Sequence, residues 1–186
     1  MADTSDFRNG MILEYEGAYY QIVEFLHVKP GQGGAFVRTT LKNVRTGSVI
    51  DRTFRAGEKL TEARLERTPF QYLYSDGSSY HFMNTETFDQ ITIPAEGVEP
   101  EKGYLKENLT VVMLMKDGAP VSLEIPTFVE LSVRSTDPGL RGDTATGGSK
   151  RATLETGLVV QVPLFIRIGD VLKVDTRTGE YVERVT

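Results

Sequence analysis

Gln71-Tyr72-Leu73-Tyr74, Ser75-Asp76-Gly77-Ser78 and Ser79-Tyr80-His81-Phe82-Met83 follow one another as strand, turn and strand. Aromatic residues favour a pleated, half-buried surface, and Asp-Gly supplies the backbone a tight hairpin needs. The pattern repeats on both sides. Residues 11–15 and 18–25 flank Glu16-Gly17, and residues 36–42 and 48–54 flank a turn at 43–47. Residues 111–115 and 119–125 flank Asp117-Gly118, and residues 171–175 and 180–185 flank a turn at 176–179. Further strands are expected at 88–93, 129–133, 158–162 and 164–168. Period-two alternation dominates, and no long capped stretch of period 3.6 is found. Residues 57–66 (GEKLTEARLE) are the only modest helix-like piece, a short turn or connector. Residues 94–109 read as a polar loop with a short helix. Short strands at this spacing predict an all-β protein of small barrels rather than one sandwich.

The strands fall into three blocks, 1–64, 65–127 and 128–186, with Pro126 at a plausible hinge. Blocks of this size sit near the lower limit for folding alone, so mutual packing is expected. The whole protein has 186 residues, 39% hydrophobic and 25% charged, which places it among folded proteins. Cysteine is absent, which excludes disulfides, thiolate metal sites and a cysteine nucleophile. The polar start, Met1-Ala2-Asp3-Thr4-Ser5-Asp6, is no secretory signal, and no apolar run approaches a membrane span. A soluble, cytoplasmic monomer is expected, without contact to a membrane.

The net charge of −5 argues against generic nucleic-acid binding, but it hides an asymmetry. Residues 1–64 hold nine Lys/Arg against eight Asp/Glu, residues 65–127 four against ten, and residues 128–186 eight against eight. Lys29, Arg38, Lys42, Arg45, Arg52, Arg55 and Lys59 cluster in the first block. The cluster is either a solvated sheet face or a positive surface meeting phosphate.

Lys29-Pro30-Gly31-Gln32-Gly33-Gly34-Ala35-Phe36 interrupts two strand-like stretches in that block. Pro30 fixes one φ angle, while the glycines allow positive φ and close backbone approach. Gln32 is the long side chain standing among them. The segment reads either as a flexible hairpin loop or as a thin probe whose bare amides meet phosphate or ribose oxygens. It lacks the Gly-Lys-Ser/Thr ending of a P-loop.

Catalytic machinery is sparse. Glu14 and Glu16 share one strand face as solvated carboxylates, and only His27 and His81 are present. His27 adjoins the glycine-rich loop as a satisfied strand residue or a nucleic-acid contact; His81 is assigned to structure. Residues 137–150 contain Ser, Thr and Asp with no histidine nearby, so no local triad forms. Asp137 and Asp143 are weak grounds for a cation site. Neither an enzyme, nor a cofactor, nor a metal is expected. Lys150-Arg151, beside Gly147-Gly148-Ser149, is a candidate RNA contact. Tyr181 and Arg184, read as lying on alternating faces of the last strand, are another.

The run from Lys29 to Arg38 resembles the tip loop of bacterial elongation factor P. Lys150-Arg151-Ala152, Gly157-Leu158-Val159-Val160-Gln161-Val162-Pro163, Ile166 and Gly169 resemble that family's C-terminal signature, and residues 173–181 (KVDTRTGEY) are similar again. The resemblance extends over essentially the whole sequence. It implies an N-terminal SH3-like (KOW-type) barrel and two OB-fold barrels in series, L-shaped overall. It implies binding to the ribosome, between the peptidyl-tRNA and exit sites, and relief of stalling at consecutive prolines. Lys29, Pro30, Gly31, Gln32, Gly33, Gly34 and Arg38 would approach the CCA end of the peptidyl-tRNA, and Lys42 and Arg55 would meet tRNA or rRNA backbone. Gly142-Asp143-Thr144, with Lys150 and Arg151, would lie near the exit-site codon and the small subunit.

One residue departs from the family. Its tip usually carries a lysine or arginine, often extended by modification, whereas this protein has Gln32, which accepts neither β-lysylation nor rhamnosylation. Gln32 is thus a natural variant that works unmodified, an engineered substitution, or the mark of a less active paralogue with a different ribosomal role. Two readings compete with the ribosomal one. A general single-stranded RNA or DNA binder would need a basic groove with stacked aromatics in the middle block, which is instead acidic. A protein-interaction scaffold would use barrel edges.

Overall fold

A computed structural model describes residues 1–139 and 148–185. Among the described residues the regular elements are strands and short 3-10 turns. β1 (Ala2–Asp3), β2 (Ile12–Tyr15), β3 (Ala18–Val28), β4 (Phe36–Asn43), β5 (Val49–Arg55) and β6 (Lys59–Glu62) form a six-stranded sheet in the order β1-β6-β2-β3-β4-β5. β7 (Glu66–Ser75), β8 (Ser79–Asn84), β9 (Gln90–Pro94), β10 (Thr110–Lys116) and β11 (Ala119–Glu124) form a second sheet, ordered β11-β10-β7-β8-β9. β12 (Phe128–Thr136), β13 (Ser149–Leu154), β14 (Val159–Pro163), β15 (Val171–Asp175) and β16 (Glu180–Val185) form the third, ordered β14-β13-β12-β15-β16.

The turns follow from residues able to take positive φ. Glu16-Gly17 sits at φ 48 and 79, and Asp117-Gly118 at φ 50 and 79, the paired left-handed geometry of a two-residue hairpin. By compactness the protein divides into two units, Met1–Arg67 with Met113–Ser122, and Thr68–Val112 with Leu123–Thr186. In the first, Phe7, Met11, Leu13, Ile22, Val37, Leu41 and Phe54 are buried, and Phe7 meets Phe54 edge-on at 5.8 Å. Residues 113–122 belong to this unit, and several of their contacts to it are polar. Ser122 Oγ donates to the Val44 carbonyl at 2.9 Å, Lys116 Nζ lies 3.5 Å from Glu14, and the same ammonium sits 4.9 Å from the Tyr19 ring centre.

In the second unit, Leu131, Leu154, Ile166, Leu172 and Val174 are wholly buried in one cluster, which Tyr104, Leu109 and Leu158 join from its edge. Thr156 Oγ1 donates to the Gly103 carbonyl, and a side chain at Gly103 would come within 3.2 Å of Leu158.

Three expectations need correction. Residues 57–66 are not helix-like: Lys59–Glu62 is a strand in which Leu60 pairs with Ala2 and Glu62 with Leu13. Burial of Leu60 in the first core overrides the local propensity. Residues 164–168 are not a strand. Pro163 ends β14 and Gly169 turns the backbone at φ 90, while Ile166 alone plugs the core and Phe165 and Ile168 stay exposed. Ser149 and Lys150, read as the end of a polar stretch over 137–150, instead open the strand Ser149–Leu154, whose Ala152 and Leu154 are fully buried. The loop expected at 94–109 holds two short 3-10 turns, Ala95–Val98 and Lys102–Tyr104.

Candidate nucleic-acid interface

The candidate site is built by β3 and β4, the most extended pair of strands in the first sheet. Their ladder runs from Tyr20 opposite Asn43 to Val28 opposite Phe36, and residues 29–35 form the loop between them. Residues 29–34 are exposed, and positions 31, 33 and 34 have no neighbour within 4 Å of where a side chain would start. Gly33 takes φ 100, a conformation costly for a residue with a side chain. The base of the loop is tied to the next segment by the Ala56 N–H, which donates to the Ala35 carbonyl at 3.0 Å. About three residues on each arm carry the tip roughly 10 Å beyond the last ladder pair. Gln32 at that tip hydrogen-bonds to none of the described residues.

Pairing decides which bases share a face, because residues directly opposite one another point to the same side of a sheet. Val37, Thr39 and Leu41 of β4 face the core and are buried. The outward face therefore reads as transverse rows. Val28, Phe36 and Arg55 lie nearest the loop; Leu26, Arg38 and Thr53 come next; Glu24, Thr40 and Asp51 follow; Lys42 and Val49 lie last. Arg38 and Arg55 thus stand in the two rows beside the loop, close to Lys29. The Arg38 guanidinium lies 5.6 Å from the Phe36 ring centre. Lys42 is four residues further along β4, roughly 13 Å at a strand's rise, beyond the Glu24–Asp51 row. The face is a basic end next to the tip followed by a mixed region.

The other clustered bases go elsewhere. Arg52 belongs to the inward row of β5. Its Nε donates to the Tyr15 hydroxyl at 2.6 Å, and another of its nitrogens lies 3.0 Å from Glu16. The Tyr15 hydroxyl first, and then Glu16, hold this guanidinium above its ordinary pKa. Arg45 and Lys59 sit in a turn and on β6. His27 lies opposite Val37 but stays exposed, edge-on to Phe25 at 5.6 Å.

In the last sheet the candidates separate. Lys150 pairs with Val162 and Arg151 with Gln161, so the two point to opposite faces. Arg151 Nε lies 3.2 Å from Asp137 Oδ2. Tyr181 and Arg184 are not on alternating faces. A bulge at Val182 places Tyr181 opposite Val174 and Arg184 opposite Leu172, on one side of the sheet. Tyr181 packs on the core, while Arg184 covers the exposed Phe165 at 5.3 Å. Phe165, and Phe128 between Lys173 at 4.8 Å and Arg177 at 5.9 Å, are aromatic–cation pairs that sequence reasoning missed. Gly142, Asp143 and Thr144 lie outside the described residues. Among the described residues no group of three His, Cys, Asp or Glu side chains is placed to hold a metal ion, and no helix is long and apolar enough to cross a membrane.

One strand barrel with a long glycine-tipped hairpin, followed by two further five-stranded half-barrels, defines a class of proteins that join a KOW-like domain to OB domains. Residues 3–60 match the model of the Elongation factor P (EF-P) KOW-like domain, residues 65–123 the Elongation factor P (EF-P) OB domain, and residues 129–184 Elongation factor P, C-terminal. The protein is 57% identical over 184 residues to the elongation factor P of Moorella thermoacetica, a match spanning 99% of this sequence and 100% of that one. It is 56% identical over 185 residues to that of Pelotomaculum thermopropionicum, spanning 100% of both. A solved structure described as eukaryotic translation initiation factor 5A from Methanococcus jannaschii matches 67% of this sequence and 90% of its own, at 19% identity and a TM-score of 0.48. The chain belongs to the elongation factor P family and is a translation elongation factor.

Proposed function

We propose that this factor binds the ribosome beside the peptidyl-tRNA and stimulates peptide-bond formation at consecutive prolines by positioning the CCA end. The single observation that supports it most is the β3–β4 hairpin: a long paired stem with one bulge at Val23, a seven-residue loop whose residues 29–34 are exposed, and Arg38 and Arg55 in the two rows just behind it. Peptidyl transfer needs its reactants in near-attack geometry, and poor orientation costs several kcal/mol. Proline is constrained both as nucleophile and at the end of the nascent peptide. A factor that braces the peptidyl-tRNA raises the rate without catalytic groups of its own, because the ribosome performs the reaction.

In this reading the amides of residues 31–34 and the Gln32 carboxamide, which both donates and accepts hydrogen bonds, brace the terminal nucleotides. Lys29, Arg38 and Arg55 hold backbone phosphate, with Lys42 a more distant rRNA or tRNA contact; such contacts position without reading sequence. Gly142-Asp143-Thr144, Lys150 and Arg151 serve the exit site and small subunit, and Tyr181 and Arg184 stand at an RNA surface. The factor works as a cytoplasmic monomer. The test is translation of a triproline template. The native protein raises the rate, and Gln32→Ala lowers that gain while leaving thermal stability unchanged, because Gln32 is exposed. Equal rates with and without the protein overturn the proposal.

The aromatic–cation pairs at Phe128 and Phe165 support a second reading, a general binder of single-stranded nucleic acid. Tight binding to free oligonucleotides at physiological salt, with no preference for ribosomes, would favour it.

A further inference from the structure

We propose that Gln32 is an amine-acceptor site: a transglutaminase-class enzyme exchanges its carboxamide nitrogen for a primary amine, and the amine class it takes is an aliphatic diamine or polyamine. Such an enzyme has to draw the glutamine and its flanking backbone into a narrow cleft. A glutamine locked in a sheet ladder does not enter one, whereas an exposed loop tip does. The protein has five glutamines, and only Gln32 meets that requirement. Gln21 is paired on both sides, with Ile12 and with Lys42. Gln71 lies in β7, and its amide nitrogen donates to Asn108 at 3.1 Å. Gln90 is held opposite Met83 in β9. Gln161 lies opposite Arg151, and its oxygen accepts from Ser149 at 3.3 Å. Gln32 is exposed, flanked by Gly31 and Gly33 with open space around both, and its carboxamide bonds to none of the described residues.

The step balances without an oxidant or reductant. The C–N bond of the Gln32 carboxamide breaks and its nitrogen leaves as ammonia. The incoming amine nitrogen forms the new C–N bond and gives up a proton to the departing group. A diamine attached at one end keeps its other end as an ammonium. The neutral tip thereby gains a positive charge several bonds beyond the glutamine. The benefit of that charge rests on the ribosomal reading above; the reactivity of Gln32 does not.

The test uses the full-length protein, microbial transglutaminase and dansylcadaverine, read by intact mass and peptide mapping. One probe per molecule is expected, with loss of one ammonia, on the peptide holding Gln32. Labelling falls to background in Gln32→Asn, which keeps a neutral amide but is not a substrate. No incorporation, incorporation spread over the strand glutamines, or labelling that survives Gln32→Asn overturns the proposal. Protein charged with spermidine is then compared with untreated protein in triproline translation. Successful labelling with no effect on that rate removes the ribosomal benefit and leaves the acceptor site standing, so the two failures are distinguishable.

Discussion

Replacing Arg38 and Arg55 together by glutamine tests the face assignment directly. Both stand on the outward side of the β3–β4–β5 ladder in the two rows behind the loop. Each phosphate a cation neutralises contributes about 0.7 to 0.9 to the slope of log affinity against log salt. Loss of two such contacts therefore shallows the slope by about 1.5. Over a fourfold range of salt that corresponds to about eightfold less loss of affinity than the native protein suffers. Lys42→Gln, beyond the Glu24–Asp51 row, shallows the slope by no more than about 0.9. Arg52→Gln removes the same charge from the inward row, where Tyr15 and Glu16 already hold the guanidinium, and leaves the slope unchanged. The assay is co-sedimentation with ribosomes carrying peptidyl-tRNA across a salt series. An unchanged slope in the double variant, or an equal change from Arg52→Gln, would show that the outward face is not the one engaged.

Leu131→Ala, at a fully buried position of the last core, is expected to cost about 2–5 kcal/mol, read as a lower urea midpoint. Gly97→Ala brings a methyl group within 2.8 Å of Ile93 Cγ2; overpacking of about 1–3 kcal/mol lowers the melting temperature, and an unchanged one would refute the close approach. Asp76 Oδ2 lies 3.0 Å from His81 Nε2, and Oδ1 accepts from the Ser79 and Ser78 N–H groups and from Ser78 Oγ. His81 first, then these donors, hold the carboxyl well below the usual range. Its folded pKa lies below its unfolded one, so its stabilisation is full above about pH 4 and is lost as pH falls further. Asp76→Asn should flatten the acid side of a melting-temperature profile, and a profile parallel to the native one would contradict this.

The hairpins were legible because their signals are local: Asp-Gly and Glu-Gly at the turns, and alternation on either side. The tip loop was legible for the same reason, since Pro30 and three glycines set its backbone without help from elsewhere. Residues 57–66 and 164–168 misread because only burial of Leu60 in the first unit, and of Ile166 in the second, decides their state.

By itself the sequence determined the all-strand class, the position of the glycine-lined tip and, through its motifs, the family. Only tertiary structure decided which side chains share a surface. Bulges at Val23, Leu73 and Val182 each insert one residue into a ladder, and one extra residue moves every following side chain to the other face. Period-two counting carries no mark of such an insertion. That is why Tyr181 and Arg184 meet on one side, and why the outward rows behind the tip appear only once β3, β4 and β5 are paired.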